Sequence, residues 1–366
     1  MYIYMILILL CLGGNSPQFL LIAQGDRSVT SETGLAPFSR APLELQSSIP
    51  KTIWTFWDGC IPHIILSFIS NWCITNPGYK INIITLENYR SYIDIEDLES
   101  LRVTGMAQRV SDIARLNVIA KHGGFWVDSS VLFTRNLDWI IDIQKDKKVE
   151  FVGYYIKADT TLPSSPIIEN WFFAAVPGSE FVSDWHKEYM RLPRQFQHAE
   201  DYIQDLVDSG VDLQLLGDPD YLTQHAALQK VLQKGGKQYR YFVMDCYLGP
   251  YYYLVHWDWE SKLAVKALAS NTSLHSPIIK LRGWDRSQID MRSRAIGKKL
   301  LKSKNLKDTK SKGIYFLQSL FSRKVTAQEF FPVFGVDISV LKEQLCQVSL
   351  NDDTCTVIVW NHMPAL

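Results

Sequence analysis

The sequence predicts an α/β protein with a mostly parallel central sheet and helices on both faces, and three observations lead there. A strand, an amphipathic helix and a second strand follow one another within residues 52–86, an order that asks for a parallel pair joined by a crossover. A long periodic helix then stops at Gly123-Gly124 and runs straight into a short apolar strand ending on Asp128. Finally, 366 residues with 47% hydrophobic and 21% charged side chains suffice for the core of one large or two ordinary domains.

The chain opens on residues 1–25, which hold no charged side chain and are almost continuously apolar over residues 2–12. About 20 apolar residues cross a bilayer as a helix. This run is interrupted by Asn15, Pro17 and Gln18 and resumes at residues 19–23, so it reads as a cleaved signal or an uncleaved signal anchor. Either version sends the rest to a lumen or the exterior, as a single-pass type II protein of a secretory, Golgi-type membrane or as a secreted one. Six cysteines fit that compartment: Cys60 and Cys73 flank one helix, Cys346 and Cys355 flank a polar turn, and Cys11 lies in the leader. Each flanking pair suits a disulfide, and no Cys-x-x-Cys spacing suggests zinc. Asn271-Thr272-Ser273 is a glycosylation sequon for a secreted chain.

Residues 26–48 are polar, carry Gly, Pro and Ser, and show no period, so they read as a stem. Folding starts at Ile49. Residues 52–57 are β-branched and aromatic, and residues 62–74 place Ile65, Phe68, Ile69 and Trp72 on one helical face before Asn76-Pro77-Gly78 ends it. Residues 80–86 form the next strand. Val103, Met106, Ala107, Val110, Ile113, Ala114 and Val118 recur at three- and four-residue steps, a second helix. Residues 125–127 are its following strand, and the end of such a strand is where open α/β sheets bind ligands. The catalytic part is taken as residues 49–290. Beyond it, residues 291–366 are expected to form a basic, helical extension packed on the catalytic domain, since a run of Lys and Arg lies between residues 280 and 312. Lys+Arg and Asp+Glu balance at 38 each, which argues against a nucleic-acid partner.

Chemistry concentrates between residues 111 and 130. Asp112 and Arg115 are three apart on a helix and therefore neighbours on one face. Asp128, Ser129 and Ser130 follow the strand, one carboxylate and two hydroxyls with no bulk to block a phosphate. A nucleotide diphosphate leaving group calls for a cation held by hard oxygens. Downstream candidates are His256, after an aromatic stretch over residues 249–255 read as a strand, and Lys280, placed to neutralise a departing diphosphate. Asp218-Pro219-Asp220 reads as a turn.

Ser111-Asp112-Ile113-Ala114-Arg115-Leu116, followed by Gly123-Gly124-Phe125-Trp126-Val127-Asp128-Ser129-Ser130, resembles the signature of the DXD-containing sugar transferases. It is most similar to the capsular polysaccharide synthesis protein branch, related to Och1-type mannosyltransferases and glucosylating toxins. Ile49-Pro50-Lys51-Thr52-Ile53-Trp54 resembles that branch's opening strand, and Asn170-Trp171-Phe172-Phe173-Ala174-Ala175 its mid-domain strand. The resemblance spans roughly residues 49–286. It implies a GT-A-like fold and a hexosyltransferase-like glycosyltransferase that retains anomeric configuration. It further implies a nucleotide-sugar donor, a glycan or glycoconjugate acceptor, and Mn²⁺ or Mg²⁺. By position, Asp112 and Arg115 would bind the donor sugar and Asp128 the ribose and metal. Ser129, Ser130 and Lys280 would line the diphosphate, and Asp128, Ser130 and His256 would ligate the metal. Trp54 would stack on the base or serve the core. Ser130 stands where a strict DXD motif has its second Asp, which leaves open an inactive homologue that binds a glycan or nucleotide sugar. A hydrolase built on Asp218 and Asp258 is the other alternative.

Overall fold

The computed structural model of the protein describes residues 34–35, 47–59, 61, 63–95, 98, 107–270, 276–286, 288 and 356–359. The elements are, in chain order, β1 (Gly34–Leu35), β2 (Thr52–Phe56), α1 (His63–Thr75), β3 (Lys80–Ile84), α2 (Ala107–His122), β4 (Gly124–Val127) and β5 (Val131–Phe133). Then come α3 (Asp138–Lys147), β6 (Phe151–Tyr155), β7 (Ile168–Ala175), α4 (Glu180–Tyr189), α5 (Arg191–Gln195), α6 (Ala199–Asp208) and α7 (Thr223–Lys234). The last are β8 (Tyr241–Asp245), α8 (Tyr252–His256), α9 (Ser261–Ser270), β9 (Ile278–Lys280) and β10 (Thr356–Val359).

The main sheet has the order β1-β8-β6-β7-β4-β2-β3-β10. Within its six central strands, β8, β6, β4, β2 and β3 share one direction and β7 alone runs against them. The predicted parallel pair β2/β3 is present in register Thr52↔Lys80. The mixed α/β fold with a mostly parallel sheet is therefore what the sequence led one to expect.

Both faces of this sheet are covered, and strand alternation shows it. Ile53, Phe125, Val127, Val152, Phe172, Ala174 and Phe242 pack on one side with Phe68 and Trp72 of α1, Ile140 of α3 and Val265 of α9. Their alternates Trp54, Trp126, Phe151, Phe173, Ala175 and Val243 pack on the other side with Ile113 of α2, Trp185 of α4, Tyr202 of α6 and Leu228 of α7. Each layer buries most of its apolar side chains completely.

The junction of α2 and β4 depends on Gly123 and Gly124, at φ +63° and +96°. A Cβ on Gly123 would lie 2.5 Å from the Pro177 nitrogen, and one on Gly124 2.5 Å from the Thr52 carbonyl oxygen. The left-handed C-cap expected there is present, with the Gly123 N–H donating to Ile119 at 2.9 Å.

Two local expectations are corrected. Residues 249–255 are not a strand: Tyr251 and Tyr252 donate back to Cys246 and Gly249 at 2.9 Å each, and the chain turns into the short helix α8. Aromatic residues favour strands only where a pleated neighbour receives them, and Gly249-Pro250 turns the chain away first. Within the extension 291–366, expected to be helical, the described residues 356–359 are a strand pairing with β3 in parallel. No helix among the described residues is long and apolar enough to cross a membrane. The leader 1–25, Cys60, Cys346, Cys355, the sequon at Asn271 and the rest of the basic extension fall outside the described residues.

Candidate functional site

Asp128 leaves the carboxyl end of β4 with its N–H bonded to the Trp171 carbonyl of β7 at 2.9 Å, and the chain turns at once, Val131 N–H donating to the Asp128 carbonyl at 3.0 Å. The next segment, β5, is held from both sides. Asn71 of α1 donates to and accepts from the Phe133 backbone at 2.9 and 2.7 Å, and Trp72 donates to the Val131 carbonyl at 2.7 Å. On the other flank β5 pairs antiparallel with β9, which sets Lys280 opposite Val131. Leu281 N–H closes that pairing on the Ser130 carbonyl at 3.2 Å. A lysine 152 positions away is thereby laid against the Asp128 carboxylate.

The polar contacts at this point are dense. Lys280 Nζ is 2.7 Å from Asp128 Oδ2 and donates to Ser130 Oγ at 3.2 Å. Asp128 Oδ1 accepts from Arg115 Nη2 at 3.3 Å and from Trp126 Nε1 at 3.1 Å. Arg115 also pairs with Asp112 at 2.9 Å, donates to Gln224 Oε1 at 3.1 Å, and lies over the Trp126 ring. Gln224 of α7 donates to the Asp112 carbonyl and accepts from Asn170 of β7, both at 2.8 Å. Tyr189 of α4 donates to Asp112 Oδ2 at 3.3 Å. Behind this group, His225 Nε2 lies 3.6 Å from Glu169 Oε2, both buried.

Exposure grades the group. The Asp128 side chain is 27% exposed, Lys280 and Asp112 10% each, and Arg115 7%, so Asp128 is its open face. Burial works to raise the Asp128 carboxyl, but Lys280 and Arg115 outweigh it and hold it below the ordinary carboxylate value. Burial raises the Asp112 carboxyl, with Arg115 pulling against it. Burial likewise lowers the Lys280 ammonium, and Asp128 opposes that.

Of the residues singled out from the sequence, the structure brings Asp112, Arg115, Asp128, Ser130 and Lys280 together, with Ser129 buried beside them. Trp54 is not among them. It is 5% exposed in the α2-side core, and its indole donates to the Gly123 carbonyl, at the opposite end of β4 from Asp128. Of its two expected roles, base stacking and core packing, this is the core one. His256 is also elsewhere: it is exposed and stacks on the Tyr252 ring. Sequence reasoning missed Trp126, Asn170, Tyr189 and Gln224. Trp126 and Asn170 lie inside the motif stretches, whereas Gln224 had no local signal.

Hard oxygens suited to a divalent cation are present in Asp128 and Ser130, but the Lys280 ammonium already sits on both. Among the described residues no group of three or more His, Cys, Asp and Glu converges as a metal site. As arranged, these side chains do not fit Mn²⁺ or Mg²⁺.

The family resemblance drawn from the motif stretch is borne out: residues 38–213 match the model described as capsular polysaccharide synthesis protein. No curated protein matches the chain. Among solved structures, the glycosyltransferase GlyE of Streptococcus pneumoniae TIGR4 is similar at 10% identity and TM-score 0.35, over 65% of this chain and 56% of that one. The galactosyltransferase LgtC, solved with donor and acceptor sugar analogues, has 9% identity and TM-score 0.35 over 76% and 98% of the two chains. Mouse xyloside xylosyltransferase 1 has 8% identity and TM-score 0.35 over 64% and 98%.

Proposed function

We propose that this protein is a glycosyltransferase of the capsular polysaccharide synthesis type. It takes a sugar from a nucleotide-sugar donor and passes it, with retention, to a glycan or glycoconjugate acceptor. The family match over residues 38–213 supports the transferase reading. The observation that carries it is the convergence of Asp128, Ser130, Lys280 and Arg115 at the carboxyl end of β4, beside the strand that runs against its neighbours. A crevice outside strand ends is where α/β sheets take nucleotides.

In this reading Asp128, the most open of the group, meets the donor. Arg115 braces it from behind, Asp112 and Gln224 brace Arg115 in turn, and Tyr189 holds Asp112. The other carboxylate of the group, Asp112, is buried and paired with Arg115, so front-face transfer with the leaving phosphate taking the acceptor's proton suits the group better than a covalent glycosyl-enzyme. Preorganised charge around the departing diphosphate is the main source of rate. Mn²⁺ or Mg²⁺ dependence, implied by the family resemblance, has no place in this scheme, because Lys280 holds both oxygen donors. The apolar, uncharged leader would place the domain in a lumen or outside the cell.

Thermal-shift and product-release measurements against a panel of nucleotide sugars test the proposal. Turnover of one donor, abolished by Asp128→Asn, is expected. Ser130, in the place of a second acid, favours the rival reading of an inactive homologue, and that reading wins if a donor binds without turnover. Turnover of a glycoside but no nucleotide sugar would instead support a hydrolase.

A further inference from the structure

Lys280 occupies the position that a divalent cation would need. We infer that Lys280 is the resident cation of the donor-diphosphate site, so that donor binding and transfer proceed without a divalent metal. The inference deepens the glycosyltransferase reading and rests on it.

Four features carry it. The ammonium touches the two oxygen donors of the motif at once, 2.7 Å from Asp128 and 3.2 Å from Ser130. Its backbone is not free to wander: Lys280 is paired with Val131 across β5/β9, its N–H donates to the Pro250 carbonyl at 3.1 Å, and the next residue is tied to Ser130. The side chain is itself nine-tenths buried and lies over the Trp171 ring, 5.3 Å from its centroid. Finally, Asp128 Oδ1 already accepts from Arg115 and Trp126, which leaves Oδ2, the oxygen that the ammonium holds. A divalent ion would have to expel the ammonium and then sit beside both it and Arg115, with like charges crowded at low dielectric.

The chemistry balances with a lysine in this place. An ammonium has three N–H donors. Two are engaged by Asp128 and Ser130, and the third remains for a phosphate oxygen of the donor. In the transfer, the bond from the anomeric carbon to the diphosphate oxygen breaks and its electron pair leaves with the diphosphate. The acceptor oxygen forms the new bond, and its proton passes to the departing phosphate. Lys280 stays protonated throughout and stabilises the negative charge that builds up.

Titration calorimetry of the full-length protein with UDP and with GDP, each in EDTA and in excess MnCl₂, tests this directly. For the nucleotide that binds, affinity within about twofold in the two buffers is expected. Lys280→Ala is expected to weaken it at least about tenfold in EDTA, and Lys280→Arg to recover part of the loss. Circular dichroism of both variants separates lost binding from lost fold, and the wild-type comparison needs no variant at all. Binding that requires Mn²⁺, or Lys280→Ala binding as tightly as wild type, overturns the inference and leaves the glycosyltransferase reading standing. Binding of neither nucleotide in either buffer brings down the donor reading, and this inference with it.

Discussion

Arg115 is the residue on which the centre turns. It is 7% exposed on its side chain, bonded to Asp112, Asp128 and Gln224, and laid over Trp126. Removing it takes away the ion-pair partner of the buried Asp112, and breaking a buried pair costs about 3–5 kcal/mol. Arg115→Ala is therefore expected to unfold at markedly lower denaturant, and Arg115→Lys, which cannot reach three partners with one ammonium, to lose activity at smaller cost in stability. Asp128→Asn keeps the shape but removes the charge that meets the donor in the proposed scheme. Turnover should fall by about 100-fold or more while the circular dichroism spectrum is unchanged. Much at this scale could be read beforehand. Asp112, Arg115 and Asp128 stand within one helix and the next strand, so spacing alone suggested that they meet. Lys280 was noticed only as a cation of the right type, and its contact, across 152 positions, depends on the pairing of β5 with β9.

At the scale of elements, the segment from β4 to β5 is positioned by others. Asn71 of α1 stands in for a neighbouring strand by bonding both backbone groups of Phe133. Asn71→Ala leaves those buried groups unpaired, which costs about 1–3 kcal/mol. Hydrogen exchange over residues 128–134 should rise more than elsewhere. Gly123→Ala meets both a positive φ and a backbone clash, and is expected to destabilise by about 2 kcal/mol or more in thermal unfolding. In α4, burial and the nearby Arg194 push His186 down to about 4, and its Nε2 has no partner among the described residues. The folded state thus prefers the neutral ring, whereas the unfolded one titrates near 6.5. Stability is unaffected above that value and falls as pH drops from about 6.5 towards 4, by roughly 3 kcal/mol at most. His186→Gln should flatten this part of the stability–pH curve. Element types were readable where periods were long, as in α1 and α2. The aromatic run at residues 249–255 misled because its composition favours a strand while Gly249-Pro250 and the bonds to Cys246 turn it into a helix.

For the whole molecule, the sheet ties distant parts of the chain into one core. β10 covers the outer edge of β3 in parallel, and uncovered strand edges invite association between chains. Deleting residues 351–366 is expected to lower the melting temperature and to shift the protein toward larger species in size-exclusion chromatography.

The sequence by itself determined the α/β class, the parallel β2/β3 pair, the Gly-Gly junction and the Asp112/Arg115/Asp128 grouping. These rest on periods, backbone dihedrals and neighbours a turn or two away, which short windows contain. Only the tertiary structure decided that Trp54 serves the core, that His256 stands apart, and that Lys280 rather than a second carboxylate meets Asp128 and Ser130. Those facts follow from which strands pair and which layer each side chain joins. Such choices are made by packing across the whole chain, and no local pattern encodes them.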